Sequence, residues 1–116
     1  YLDCPAFSGY TSAWQASHRG LPIVTLEGEF LRQRLAAGLL RQIGMIDTIA
    51  HTREQYVEIA VACAQQSRQP EQWAARRAAL RVAAPAADGN RAAVHAFGQT
   101  LIEALQANQA LLDHPQ

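Results

Sequence analysis

The spacing of apolar positions changes several times along the chain, and each change marks an element. Residues 1–4, YLDC, read as the end of a strand, followed by the loop PAFSGY. Thr11 to Arg19 reads as a short helix, and Gly20 suits the left-handed position that follows a helix end. LPIVTL, residues 21–26, is an apolar and β-branched run of the kind that forms a strand covered on both faces. EGE then turns the chain into a helix from about Phe30 to Ile43, in which Phe30, Leu31, Leu35, Leu39, Leu40 and Ile43 recur at intervals of three and four; Gly44 ends it. MIDTIA is either a third short strand or an extended connection.

The second half is helical in pattern. Thr52 to Gln55 has the form of a capping box and opens a helix to about Gln66, with Tyr56, Ile59, Ala60 and Cys63 as its buried stripe. QPEQWAARRAALRVAA carries Pro70 where a first helical turn accepts it, and Pro85 ends that helix. PAADGN is a linker, and a last helix runs from about Arg91 to Leu112 with Val94, Phe97, Leu101, Leu105 and Leu112 along one side. That stripe either packs on the sheet or needs a missing partner.

Strands alternating with helices imply parallel units with right-handed crossovers. The expected fold is therefore α/β: a partial doubly wound, Rossmann-like half-domain with two or three short parallel strands, five helices and a helix-rich C-terminal half. Residues 1–84 would form part of a lobe, and residues 85–116 a linker and a helix packing back on it.

Composition narrows the chemistry. Net charge is zero and 49% of residues are hydrophobic, with no apolar run near the roughly 20 residues of a membrane span. Neither a nucleic-acid nor a membrane partner is expected. No secretory pattern opens the chain, and its start on Tyr1-Leu2-Asp3 reads as a fragment of a larger protein. All 10 basic residues are Arg, which removes P-loop and Schiff-base lysines. Cys4 and Cys63 match no metal spacing, and the four histidines form no ligand pair, so no metal is expected. Cys63 reads as a packed thiol, compatible with a cytoplasmic location. Trp14 and Trp73 read as packing residues, and Arg76-Arg77 as a solvated helix face.

Ligands of open α/β sheets bind beyond the carboxyl ends of the strands. One loop there holds Ser8, Gly9, Tyr10, Thr11 and Ser12 at a helix start, where unpaired N–H groups favour a phosphate. Gln15 lies on the same helix face as Thr11, within reach of a nucleotide sugar. On the bland alternative, Thr11 or Ser12 is only a helix cap. The other loop holds Glu27, Gly28 and Glu29. The two glutamates are candidates for acid–base work, or Glu29 simply sits well at a helix N-terminus. Arg34 reaches back to the ligand or an acidic loop, or is solvated.

The string LDCPAFSGYTSAWQASHRGLPIVTLEGEFLRQRLAAGLLRQIGM resembles the carboxyl-terminal part of the O-linked N-acetylglucosamine transferases of the SPINDLY type. The match runs through Leu2-Asp3, Pro5, Gly9, Thr11-Ser12, Gly20, Pro22, Val24-Thr25, Gly28-Glu29, Arg34 and Ala36-Ala37, and fades after about residue 82. The resemblance implies a two-lobed GT-B glycosyltransferase whose donor, UDP-N-acetylglucosamine, is a substrate rather than a cofactor. Gly9, Tyr10, Thr11, Ser12, Gln15, Gly28, Glu29 and Arg34 would belong to the donor-binding site, with Gly9, Thr11 and Ser12 on the diphosphate. An acceptor protein, an upstream lobe and helical repeats would be its partners. Gln15 stands where the family has an acidic residue, Glu27 where it has Pro, and Tyr10 where His or Gly is common. The lysine and histidines of the family's active site would lie upstream, so this chain alone is not expected to catalyse. The rival expectation is a non-catalytic relative, or a helical interaction module that keeps the scaffold.

Overall fold

The computed structural model describes the backbone of residues 1–113 and side-chain surroundings to residue 109. Among the described residues there are five α-helices and one small parallel sheet: α1 (Thr11–His18), β1 (Thr25–Leu26), α2 (Leu35–Gln42), β2 (Ile49–Ala50), α3 (Arg53–Gln66), α4 (Pro70–Ala83) and α5 (Arg91–Asp113). β1 pairs with β2 in parallel, Thr25 with Ile49 and Leu26 with Ala50. The expected first strand is reduced to a parallel bridge between Leu2 and Val24. Its hydrogen bonds are Val24 N to Tyr1 O and Asp3 N to Val24 O, both 2.9 Å. The fold is α/β and Rossmann-like, as the alternation implied, with β1 central.

The core lies among α1, α2 and α4, together with Ile23 before β1 and Ile49 of β2. Ala13, Ile23, Ala36, Ala37, Leu39, Leu40, Ile49 and Leu80 are buried together. Small residues on α1 and α2 let the backbones approach, which is the structural use of the alanine content. MIDTIA resolves into a 3-10 turn (Ile46–Thr48) followed by β2. The Tyr56, Ile59, Ala60, Cys63 stripe is half-buried rather than buried, because α3 leans on β1 and β2 along one side only.

Two expectations need correction. The helix predicted from about Phe30 is split into a 3-10 turn (Leu31–Gln33) and α2. Ser8 interrupts it: its N–H donates to Arg32 O at 2.7 Å, and its hydroxyl accepts from Ala36 N at 2.8 Å. Those are the two groups that a continuous helix would have joined. Arg76 and Arg77 are not a solvated face. Arg76 pairs with Asp47, and Arg77 Nε donates to Gly20 O at 3.1 Å, bracing α4 against neighbouring turns. Trp14, 36% exposed, is a packing residue as expected: its indole N–H donates to Asp88 at 2.8 Å and its ring lies 4.4 Å from that of His18.

The C-terminal helix does not pack back on the lobe. Val94, Phe97, Leu101 and Leu105 are 73, 68, 50 and 67% exposed. The chain turns at Gly89, restarts with Asn90 capping Ala93 N at 3.1 Å, and projects outward within a 70 × 29 × 17 Å envelope. Leu112, assigned to the same stripe, has a side chain outside the described surroundings. Before the turn, Ala84 is buried and Ala87 packs on the core, so the expected linker begins as part of the lobe.

Gly20 and Gly44 both take left-handed backbone, φ +66° and +72°. A Cβ at Gly20 would lie 2.7 Å from Arg77 O, whereas one at Gly44 would meet nothing within 4 Å. Gly20→Ala is expected to cost more than about 2 kcal/mol and Gly44→Ala about 1. Urea denaturation of both variants decides this; equal losses would show that α4 yields.

Candidate functional site

The buried carboxylate of Asp3 organises the carboxyl edge of the sheet. One oxygen accepts from the Ser8 hydroxyl at 2.6 Å and the Thr25 hydroxyl at 2.8 Å; the other accepts from Gly9 N at 2.8 Å. Tyr56 OH donates to the Asp3 carbonyl at 2.8 Å, adding α3 to the set. An ionised group that is only 2% exposed is tolerated when its lone pairs are met in this way. Through Ser8 the same network reaches Arg32 and the first turn of α2. The two loops singled out in the sequence both bond to the 3-10 turn Leu31–Gln33, Ser8 N to Arg32 O at 2.7 Å and Gly28 N to Gln33 O at 3.4 Å.

Around the first loop, Gly9 is pinned with its N–H on Asp3, while Tyr10 occupies the N-cap position of α1 without a side-chain cap bond. Neither Thr11 nor Ser12 caps the helix, so the bland account of these hydroxyls fails. Thr11 is exposed, and Ser12 Oγ shares a hydrogen bond with Tyr1 OH at 2.9 Å. Gln15, exposed one turn on, lines a hollow of about 730 Å³ with Tyr1, Ser12, Trp14 and Arg19.

Gly28, Glu29 and Arg34 line a different cleft, of about 560 Å³, together with Pro5, Glu27, His51 and Arg53. The structure thus gathers the second-loop residues at one cleft and Ser12 and Gln15 at another hollow, while Gly9, Tyr10 and Thr11 line neither. Glu29 is exposed and precedes α2 by several residues, so it is not a helix N-terminal anion.

Glu27 dominates the cleft's electrostatics. Arg34 Nε donates to its Oε1 at 3.1 Å and Arg41 Nη1 to the same oxygen at 2.6 Å, while Arg41 Nη2 reaches Oε2. His51 Nδ1 lies 3.6 Å from Oε2. Hydrogen bonding from Arg41, then from Arg34, outweighs burial and holds the Glu27 carboxyl down at about 2. Arg41 and His51 were not among the residues singled out from sequence, and Asp3 was singled out only as part of the family motif. Arg41 carried a signal, lying seven residues after Arg34 on the same helical face.

Asp3→Ala strands three donors and is expected to cost about 3 kcal/mol or more, against about 1 for Thr25→Val, which removes one bond. Chemical denaturation of the two variants compares them, and equal costs would deny Asp3 its central place. Because the Glu27 carboxyl sits below its ordinary range, its contribution is complete above pH 4.5 and fades as pH falls towards 2. Glu27→Gln should flatten the acid limb of the stability curve over that interval only slightly, by no more than about 1 kcal/mol, because the arginine partners are half-exposed and screened by solvent. An unchanged limb would refute the assignment.

Residues 1–94 match the description Glycosyl transferase family 41. A UDP-N-acetylglucosamine–peptide N-acetylglucosaminyltransferase of Caenorhabditis elegans is 38% identical over 60 residues, 52% of this chain and 5% of that protein. A Petunia hybrida protein, "Probable UDP-N-acetylglucosamine--peptide N-acetylglucosaminyltransferase SPINDLY", is 29% identical over 63 residues, 54% of this chain and 7% of that protein. A mutant O-GlcNAc transferase of Thermobaculum terrenum superposes with a TM-score of 0.65 and 31% identity, covering 77% of this chain and 16% of that one. This chain therefore spans a small part of each of these proteins. With the family match running through the Asp3 network, both loops and all four helices of the lobe, the chain belongs to glycosyl transferase family 41.

Proposed function

We propose that this chain is the donor-binding portion of a GT-B protein O-linked N-acetylglucosamine transferase, gripping the UDP of a UDP-N-acetylglucosamine donor. The observation that carries the proposal is the start of α1: Gly9 is held by Asp3, and no side chain caps the turn that follows. A helix start left open in this way favours the charge of a diphosphate. Gly9, Tyr10, Thr11 and Ser12 would face that diphosphate, and Gln15 would offer an amide to the ribose. Gly28, Glu29 and Arg34 would form the neighbouring wall.

In the proposed reaction a serine or threonine hydroxyl of an acceptor protein attacks the anomeric carbon. The bond to the UDP oxygen breaks, UDP leaves with the bonding electron pair, the hydroxyl proton passes to the departing UDP or to water, and configuration inverts. Charge building on the departing diphosphate needs preorganised donors. The residues here hold the leaving group, while an upstream lobe would complete the stabilisation and helical repeats would present the acceptor. On this reading the isolated chain binds but does not turn over, and it works without a metal in the cytoplasm.

A second reading, a non-catalytic relative that keeps the scaffold, draws on Glu27, whose carboxylate engages both Arg34 and Arg41. Titrating the chain with UDP while following backbone amide signals separates the two. Donor binding predicts saturable shifts from Gly9 to Gln15 and around Gly28. A folded sample silent at millimolar UDP would overturn it in favour of the second reading.

A further inference from the structure

We infer that Glu27 is a positioning residue of the proposed donor site, fixing the Gly28–Glu29 loop by clamping α2 and facing the end of β2. This rests on the donor-binding reading above.

The loop from Glu27 to Phe30 is held at both ends. At one end, Glu27 binds Arg34 before α2 and Arg41 within it, and faces His51, the residue after β2. At the other, Gln33 receives Gly28 N through its carbonyl and Phe30 N through its side-chain oxygen at 3.3 Å. A Cβ at Gly28 would lie 2.4 Å from that oxygen, so the loop sits directly against the Gln33 side chain. The backbone between these anchors forms a wall of the 560 Å³ cleft.

The exposures of the partners separate positioning from bulk stabilisation. The Glu27 side chain is 9% exposed, while those of Arg34 and Arg41 are 51 and 46% exposed. Ion pairs with such exposed partners add little to global stability. What the clamp restricts is local: a carboxylate in the grip of two guanidinium groups has one orientation, and the Gly28 backbone follows it. Glu29 and Arg53, the other charged residues lining the cleft, are exposed. The clamp also commits Arg34 and Arg41 to the protein, so the donor's anionic groups are left to the start of α1.

The test is a UDP titration of this chain as wild type, Glu27→Gln, Arg41→Gln and the double variant, with amide shifts and melting temperature read on each. The expected result is UDP affinity about three- to tenfold weaker in each single variant, the scale set by losing charge-assisted bonds of a partly exposed pair. The double variant should be no weaker than Glu27→Gln alone. The UDP-induced shifts at Gly28 and Glu29 should vanish while those at Gly9 to Ser12 persist, with melting temperatures little changed. Arg41→Gln keeps the test open if Glu27→Gln fails to fold. Variants that bind as tightly as wild type and keep the Gly28 response would overturn the inference alone. So would affinity losses that only track melting temperature. A wild-type chain that does not bind UDP would overturn the donor-binding reading and this inference with it.

Discussion

One buried carboxylate decides how the rest of this lobe is arranged. Asp3 has almost no contact with solvent, and an ionised group in that position is costly unless its oxygens are fully engaged. Here the engaging donors come from two distant parts of the chain: the Ser8 hydroxyl and Gly9 N–H of the first loop, and the Thr25 hydroxyl of β1. Satisfying the charge therefore fixes the first loop over β1. Ser8 then passes the constraint to α2 by taking the place of a helical turn, with its N–H on Arg32 O and its hydroxyl on Ala36 N. The carboxyl edge of the sheet is shaped by this chain of hydrogen bonds more than by the two short strands, whose ladder covers only two residue pairs.

That arrangement explains which features could be read from the sequence. Local signals transferred well. Gly20 and Gly44 stop their helices with positive φ, and Thr52 caps α3 by accepting from Gln55 N at 3.2 Å. Gln55 reaches back to His51 N rather than to Thr52 N, a shift of one residue that the motif does not specify. Features that depend on distant partners did not transfer. The periodicity from Phe30 to Ile43 is sound as a pattern, yet it carries no information that Ser8 would enter the ladder at Arg32. The adjacent Arg76 and Arg77 looked solvated because Asp47 and the Gly20 carbonyl lie far away in sequence. The candidate site was legible as two loops and as a family motif. Its division into a cleft and a separate hollow was not, since that follows from tertiary placement.

The exposed stripe of α5 belongs to the same contrast. Amphipathic spacing shows that a helix has an apolar face, not what covers it. Just before the turn at Gly89, Ala84 is buried and Ala87 packs on the core, and the bond from Trp14 to Asp88 ties that segment to α1. The family match ends at residue 94, close to where α5 begins to leave the lobe. The shared architecture and the compact packing thus stop at nearly the same point in the chain.

Two anions, Asp3 and Glu27, shape the two loops by opposite means. Asp3 is surrounded by neutral donors and sits inside, where hydrogen bonds to hydroxyls and an amide are strong because water is absent. Glu27 lies at the rim, where competing water weakens each bond, and it is held by two full positive charges. The difference follows from position. A guanidinium beside Asp3 would itself need burial, whereas neutral donors at the rim would lose to solvent. A fold that must fix two loops, one at the core boundary and one at the surface, therefore uses a polar network for the first and an ion cluster for the second. The start of α1, next to the first loop, is left without a side-chain cap. That open turn follows backbone anchored by Asp3, while Glu27 holds the wall of a separate cleft, so each loop is preorganised by its own carboxylate.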